Sequence, residues 1–195
     1  MHKKIKRIFI IILIFVLVVG IAKIVNTSSI KQLILKKMYP MTYSEYVYKY
    51  SEENDIDPLL IFAIIKAESN FNSTVVSSSN AKGLMQLMES TAEEIMEKNL
   101  QEEFNKEMLF NPEDNIKIGT AYFAILLERY NGNIPIALTA YNAGIGKVDS
   151  WIEDGIIKAD GSDVENIPYK ETNNYVRKIL RDYKIYQHIY NYKGI

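Results

Sequence analysis

The 195-residue chain contains no cysteine. Disulfides, thiol nucleophiles and cysteine-ligated metal are therefore excluded, as is a lipid anchor joined through a cysteine thioether. Compartment is not decided by this, because a well-packed domain of this size is stable outside the cell without bridges. Histidine is also scarce, with only His2 and His188 present. No ligand cluster has zinc spacing, and no glycine loop has the pattern of a phosphate cradle. We expect no metal and no cofactor. Neither sign of charge dominates, since 23 Lys and Arg stand against 24 Asp and Glu. The chain as a whole gives no reason to expect nucleic acid as a partner. Long alternating strand patterns, internal repeats and low-complexity tracts are absent too, which points to a single mostly helical globule.

What is present begins at the N-terminus. Lys3, Lys4, Lys6 and Arg7 precede an unbroken apolar run from Ile8 to Ala22, and Ile24 and Val25 follow Lys23. A spanning helix needs roughly 20 apolar residues, whereas a signal-peptide core has about 7–15. With Ile24 and Val25 counted and Lys23 snorkelling to the interface, the run is long enough to span. The basic cluster then stays cytoplasmic and the rest of the chain lies outside. Gly20-Ile21-Ala22 offers a small-x-small cleavage site, so secretion after signal-peptide removal is the alternative. A buried core helix fits poorly, because no polar face interrupts the run.

Further along, residues 26–39 read as a juxtamembrane stalk. A short amphipathic helix is expected over 43–54. Asp57-Pro58 has the form of an N-cap followed by proline in the first turn. The stretch from Leu59 to Ala67 is apolar nearly all round, so this helix should be central and buried. Residues 69–80 are rich in Ser and Asn and should form a loop. Ser90-Thr91-Ala92-Glu93 has capping-box spacing. Asn111-Pro112 repeats the cap-then-proline signal, and that helix should run to about Tyr130. Shorter helices are expected over 135–142 and 147–153. A last helix over about 171–190 carries Tyr175, Ile179, Tyr183, Tyr186 and Tyr190 at helical spacing, chiefly as packing.

Glu68 stands out on physical grounds. It is the only acid between Asp57 and Glu89, and it ends a helix that is otherwise almost wholly apolar. Desolvation and the negative end of the helix dipole both raise a carboxyl pKa there. Such a carboxyl suits a general acid for glycosidic cleavage. A solvent-facing Glu at a helix end, making a weak surface pair, is the plainer reading of the same residue.

Three separated blocks bear on that choice. Glu68-Ser69, then Gly83-Leu84-Met85-Gln86-Leu87-Met88, then Ala140-Tyr141-Asn142-Ala143-Gly144 together resemble the lytic transglycosylases of the soluble-lytic-transglycosylase type, from about Tyr39 to about Tyr190. Ser90-Thr91-Ala92, Glu171-Thr172 and Tyr175-Val176 also fall where that family has them. The resemblance implies a lysozyme-like fold and cleavage of the MurNAc–GlcNAc β-1,4 bond of peptidoglycan glycan strands. Glu68 would be the catalytic acid and base. Ser77 would help position an N-acetyl group. Gln86 and Met88 would line the glycan groove, Tyr141 and Asn142 would stand beside the acid, and Glu171 and Tyr175 would supply a helix-start carboxylate and a groove tyrosine. On this reading the chain is a cytoplasmic leader and membrane anchor (1–25), a stalk (26–39) and a catalytic domain (40–195). Its partners are glycan strands and the membrane.

Each of these residues also has a plainer reading. Met88 and Met85 suit core filling. Gln86 needs a hydrogen-bond partner, because burying an unpaired amide is costly, and backbone serves as well as ligand. Tyr141 suits an ordinary core aromatic, and Glu171 a helix N-terminal charge. Gly83 and Gly144 answer backbone requirements. Two departures from the family pattern stand out: Ser78-Ser79-Asn80 replaces the usual proline- and glycine-containing turn, and Glu89 stands where proline often follows the methionine.

The mechanism has a sequence-level argument as well. Ordinary glycosidases use two carboxyls flanking the bond. The chain from Ser69 to Met88 holds no acid, and one carboxyl suffices when the substrate supplies its own nucleophile. This favours 1,6-anhydro ends over water-terminated ones. A hydrolytic muramidase of the same fold, a noncatalytic glycan-binding scaffold and a purely structural helical domain are the competing readings.

Overall fold

The computed structural model describes residues 2–25 and 28–190. Asn26 and Thr27 of the expected stalk, and residues 191–195, lie outside the described residues. So do the side chains of His2, Lys3, Lys4, Ile24, Val25, Ser28 and Ser29. The chain divides into two compact units, Met1–Pro40 and Met41–Ile195.

The first unit consists of helix α1, His2–Val25, and helix α2, Ser28–Met38. Within α1, the 19 residues Ile5–Lys23 have a mean hydropathy of 2.8 and none of this span is buried. At 1.5 Å per residue it measures about 28 Å, close to the thickness of a bilayer's hydrocarbon core. By length and composition this helix can cross a membrane. The stretch read from sequence as a stalk is helical over Ser28–Met38.

The second unit is helical as expected, and its only β-type pairing among the described residues is isolated bridges at Val76–Lys82 and Lys82–Leu87. Its helices are α3 (Ser44–Glu53), α4 (Pro58–Glu68), α5 (Glu89–Glu94), α6 (Pro112–Arg129), α7 (Ile134–Ala143), α8 (Ile145–Glu153) and α9 (Lys170–Tyr190). The cap signals act as read. Asp57 Oδ1 accepts from the Leu59 amide at 2.8 Å, and Asn111 Oδ1 accepts from the Glu113 amide at 2.9 Å. Gly144, at φ +89°, ends α7 and begins α8 in a conformation that favours glycine.

The capping box at Ser90 does not form. Helix α5 starts one residue earlier, after an extended Met88 that makes no side-chain cap. Glu89 is held in that first turn by Lys82 and Lys106, at 2.9 and 2.6 Å, and a carboxylate there complements the helix dipole. A π-helical stretch, Ile95–Leu100, and a 3₁₀ turn, Lys106–Leu109, follow. Neither has a signature in the local sequence.

Helix α4 is the core of this unit, with every side chain from Leu59 to Ile65 no more than 1% exposed. It lies along α9, while α6 packs against α3 and α7. The rings of Phe62 on α4 and Tyr186 on α9 stack with centroids 5.9 Å apart. The two helices are also joined at both ends. Near the start of α4, the Tyr183 hydroxyl donates to Asp57 Oδ2 at 2.5 Å. At its finish, the Lys178 ammonium donates to the Ala67 carbonyl at 3.2 Å.

The loop between α4 and α5 takes its shape from α6. Asn115 is fully buried, and its side chain serves three backbone groups. Oδ1 accepts from the Met85 amide at 2.8 Å, and Nδ2 donates to the carbonyls of Leu109 at 2.8 Å and Lys82 at 3.2 Å. Gly83 lies against this residue at φ +77°, where a Cβ would fall 2.0 Å from the Leu109 oxygen. An Asn115→Ala variant strands those backbone groups. With roughly 1–3 kcal/mol for each unsatisfied buried group and some relaxation, we expect a loss of about 3 kcal/mol. Urea unfolding of the detergent-solubilised full chain measures it, and a loss below about 1 kcal/mol would contradict the assignment.

Candidate active site

Glu68 is the last residue of α4 and is half-buried. Its Oε1 accepts a 2.6 Å hydrogen bond from the Tyr175 hydroxyl, reaching across from α9. The carboxyl pKa is raised to about 7. Desolvation is the main cause. The Tyr175 hydrogen bond and the positive charge of Lys178 oppose it without cancelling it. Near neutral pH the group is therefore about equally divided between acid and carboxylate. That is the condition for donating a proton in one step and accepting one in the next.

Two tyrosines surround this carboxyl from different helices. Tyr175 and Tyr141 both have pKa values well above 10, raised first by burial and then by the charge of Glu68. Both stay protonated, so Tyr175 is the donor in its bond to Glu68. The Tyr141 hydroxyl donates to the Met85 carbonyl at 2.8 Å. Its ring sits 5.2 Å from that of Tyr122 and edge-on to Phe123. Helix α7 thus ties the middle of the Gly83–Met88 block to the neighbourhood of the acid. The next residue, Asn142, is exposed, and its Oδ1 accepts from the buried Thr172 hydroxyl at 2.7 Å. This bond fixes which edge of the amide faces α9 and which is presented outward.

The Gly83–Met88 loop is held by its own glutamine. Gln86 adopts φ +49°, and its Nε2 donates to the carbonyls of Val75 at 3.1 Å and Gly83 at 2.9 Å. Of the two partners open to this amide, backbone is the one it takes. Ser77 likewise closes a turn, its Oγ accepting from the Ala81 amide at 3.0 Å. Met88 is 43% exposed, so it is not core filling, whereas Met85 is fully buried. Glu171 is exposed in the first turn of α9.

The structure thus joins Glu68 to Tyr175 directly and sets Tyr141 within electrostatic reach. Asn142, Gln86 and Ser77 are each engaged with nearby backbone or side chains, and Met88 and Glu171 stand at the surface. Sequence reasoning named Thr172 only as the neighbour of Glu171, without a role, and missed Lys178, Tyr122 and Asn115. None of these last three lies in a recognisable motif, although Lys178 follows Tyr175 by three residues and so shares its side of a helix. A cavity of about 660 Å³, lined by Ile56, Leu60, Ala121, Ile125, Glu128 and Tyr183, sits at the opposite end of α4 and contains none of the nominated residues. The altered carboxyl is the better guide to chemistry, since proton affinity near neutrality is a functional property and cavity volume alone is not.

The raised pKa has a consequence for stability. Below about pH 4.5 Glu68 is protonated in both folded and unfolded chains and costs nothing. Between about 4.5 and 7 the unfolded chain ionises while the folded one resists, so stability falls as pH rises; above 7 the loss levels off. A shift of this size corresponds to up to about 3 kcal/mol. A Glu68→Gln variant should lack that fall and gain on the wild type across this window. Parallel unfolding curves at pH 4 and pH 8 check it, and an unchanged difference between the two proteins would refute it.

Comparison with known proteins places the chain in a family. The family model of the transglycosylase SLT domain matches residues 45–160. The chain is 33% identical over 161 residues to the soluble lytic murein transglycosylase of Salmonella typhimurium, covering 82% of this chain and 25% of that one. It is 42% identical over 115 residues to the membrane-bound lytic murein transglycosylase C of Edwardsiella ictaluri, over 54% of this chain and 32% of the other. An inactive mutant of the lytic transglycosylase Slt from Pseudomonas aeruginosa superimposes with a TM-score of 0.73 at 33% identity, covering 80% of this chain and 26% of its own. The chain spans about a quarter of the length of the soluble relatives it matches. With the family model covering most of α3 through α8 and the solved fold extending further, this chain belongs to the transglycosylase SLT domain family.

Proposed function

We propose that this protein is a membrane-anchored lytic transglycosylase that cleaves the MurNAc–GlcNAc β-1,4 bond of peptidoglycan and leaves 1,6-anhydro-MurNAc ends. The observation that carries the reading is the Glu68 carboxyl, divided between its two protonation states near neutrality and bound by the Tyr175 hydroxyl.

Protonated Glu68 donates its proton to the bridging glycosidic oxygen as the C1–O bond of MurNAc breaks, and the GlcNAc end leaves as an alcohol. The resulting carboxylate then accepts the proton of the MurNAc C6 hydroxyl while that oxygen bonds to C1 of the same sugar. One proton is given and one is taken, so Glu68 returns to its starting state. The groups that shift Glu68 are Tyr175 and Lys178, and no second carboxyl is among them. That supports attack by the substrate's own hydroxyl, because an activated water calls for a second base. Tyr175 orients the carboxyl and steadies its anionic form. Tyr141 buttresses the loop beside it, and the outward edge of Asn142 and the exposed Met88 offer a hydrogen bond and an apolar surface to a sugar. Gln86 and Ser77 serve by shaping the loop that carries these contacts, and Glu171 contributes a negative charge at the start of α9.

Helix α1 serves as the anchor. The basic cluster of Lys3, Lys4, Lys6 and Arg7 precedes it, and the positive-inside rule then sets the SLT domain on the extracytoplasmic side, where the wall lies.

Incubating the purified protein with sacculi and identifying products by mass spectrometry tests the reaction. Anhydro-MurNAc ends are expected; MurNAc ends that have gained water would identify a muramidase instead. The Glu68→Gln variant should bind glycan with activity reduced by roughly 10²–10⁴-fold. Tyr175→Phe removes a donor that favours the carboxylate. The pKa of Glu68 should then rise, moving the alkaline limb of the pH–rate profile to higher pH, and a limb that stays in place would remove Tyr175 from this role.

A further inference from the structure

Charge is divided along this chain in a way that its overall balance hides. Residues 1–44 contain eight Lys and Arg and not one Asp or Glu, so residues 45–195 hold the other 15 of 23 basic residues and all 24 acidic ones. The first segment therefore carries +8 and the remainder −9. Part of the positive excess lies beyond the spanning helix, on α2, which holds Lys31, Lys36 and Lys37 and no acid.

Helix α2 also shows large apolar side chains. Leu33 is 70% exposed, Ile34 52% and Met38 57%. Together with Ile30 these positions follow helical spacing along one side. Lys31 neighbours Ile34 on that side, and Lys37 stands one turn beyond Leu33. Lysines so placed lay their methylene stems along an apolar surface and keep the ammonium at the polar boundary. An apolar side with Lys31 at its edge, Lys37 within its last turn and no acid is the composition of a helix lying in a membrane interface.

We propose that α2 lies on the outer surface of the same membrane that α1 crosses, with Leu33, Ile34 and Met38 entering the boundary between headgroups and acyl chains and Lys31 and Lys37 meeting anionic lipid headgroups. This rests on the reading of α1 as a membrane span. Two observations favour lipid over other occupants. Only Asn26 and Thr27 separate α2 from the end of α1, so α2 is delivered to the membrane surface. Its charge also complements anionic headgroups, while the −9 of residues 45–195 is repelled by them.

The absence of cysteine makes the test clean, since any single introduced cysteine is the only labelling site. The full chain is reconstituted in phosphatidylcholine vesicles with and without phosphatidylglycerol. Single-cysteine variants at Leu33, Ile34 and Gln32 carry an environment-sensitive fluorophore, and a lipid-borne nitroxide reports depth. Emission from positions 33 and 34 should shift to the blue and be quenched by the nitroxide, while position 32 should stay in water. A Lys31→Gln/Lys37→Gln double variant should lose the part of that quenching that depends on phosphatidylglycerol. The proposal is overturned if positions 33 and 34 report water. It is equally overturned if they are protected without lipid quenching, which assigns the face to a second copy or to the SLT domain. Labels at Leu13 and Val16 separate this failure from failure of the span: if those also report water, α1 does not cross the membrane.

Discussion

An almost wholly apolar helix that ends in an acid can be buried only if something at its rim accommodates the acid, and here α9 does so. Tyr183 meets Asp57 at one end of α4, and Tyr175 meets Glu68 at the other. Between them, Tyr186 stacks on Phe62. The same pairing that fills the core fixes the register of the two helices and places a hydroxyl donor on the carboxyl. Core packing and the setting of the acid are thus one arrangement. Sliding α9 by a single turn, about 5.4 Å, would break both tyrosine contacts at once.

Much of the fold was legible because its signals are local. Asp57-Pro58 and Asn111-Pro112 begin helices, since a side-chain acceptor and a pre-set φ act within three residues. Gly144 ends one because only a positive φ closes it there. The apolar run of α4 announced burial by having no polar side. Local signals failed where a distant partner decided the outcome. Ser90 had the right neighbours for a cap, but lysines at 82 and 106 hold Glu89 and the helix starts there. The π-helical stretch after α5 had no signature at all.

The candidate site was legible in its membership more than in its wiring. Glu68 could be singled out by its surroundings, and the separated motifs supplied its companions. The contact that matters most to its chemistry joins residues 107 positions apart. Apart from Tyr175, named as a groove residue, the tyrosines of the last helix read as packing, which describes Tyr186 but not Tyr183. Gln86 was open between ligand and backbone, and the left-handed turn at that residue sends its amide onto the loop's own carbonyls. Asn115 had no motif to mark it, yet it braces the loop beside the acid from a third helix.

The long sequence separation between Glu68 and Tyr175 also bears on when the acid comes into being. During synthesis, α4 emerges more than a hundred residues before α9. Until residues 170–190 fold against it, Glu68 lacks its hydroxyl donor and much of the enclosure that raises its proton affinity, and it behaves as an ordinary water-exposed carboxyl. The tuned carboxyl is assembled only once residues 170–190 are in place. A chain cut before α9 carries every residue of the Gly-Leu-Met-Gln and Ala-Tyr-Asn-Ala-Gly blocks and still lacks the hydroxyl that meets Glu68, so the order of the sequence itself withholds the carboxyl's raised proton affinity until α9 is in place.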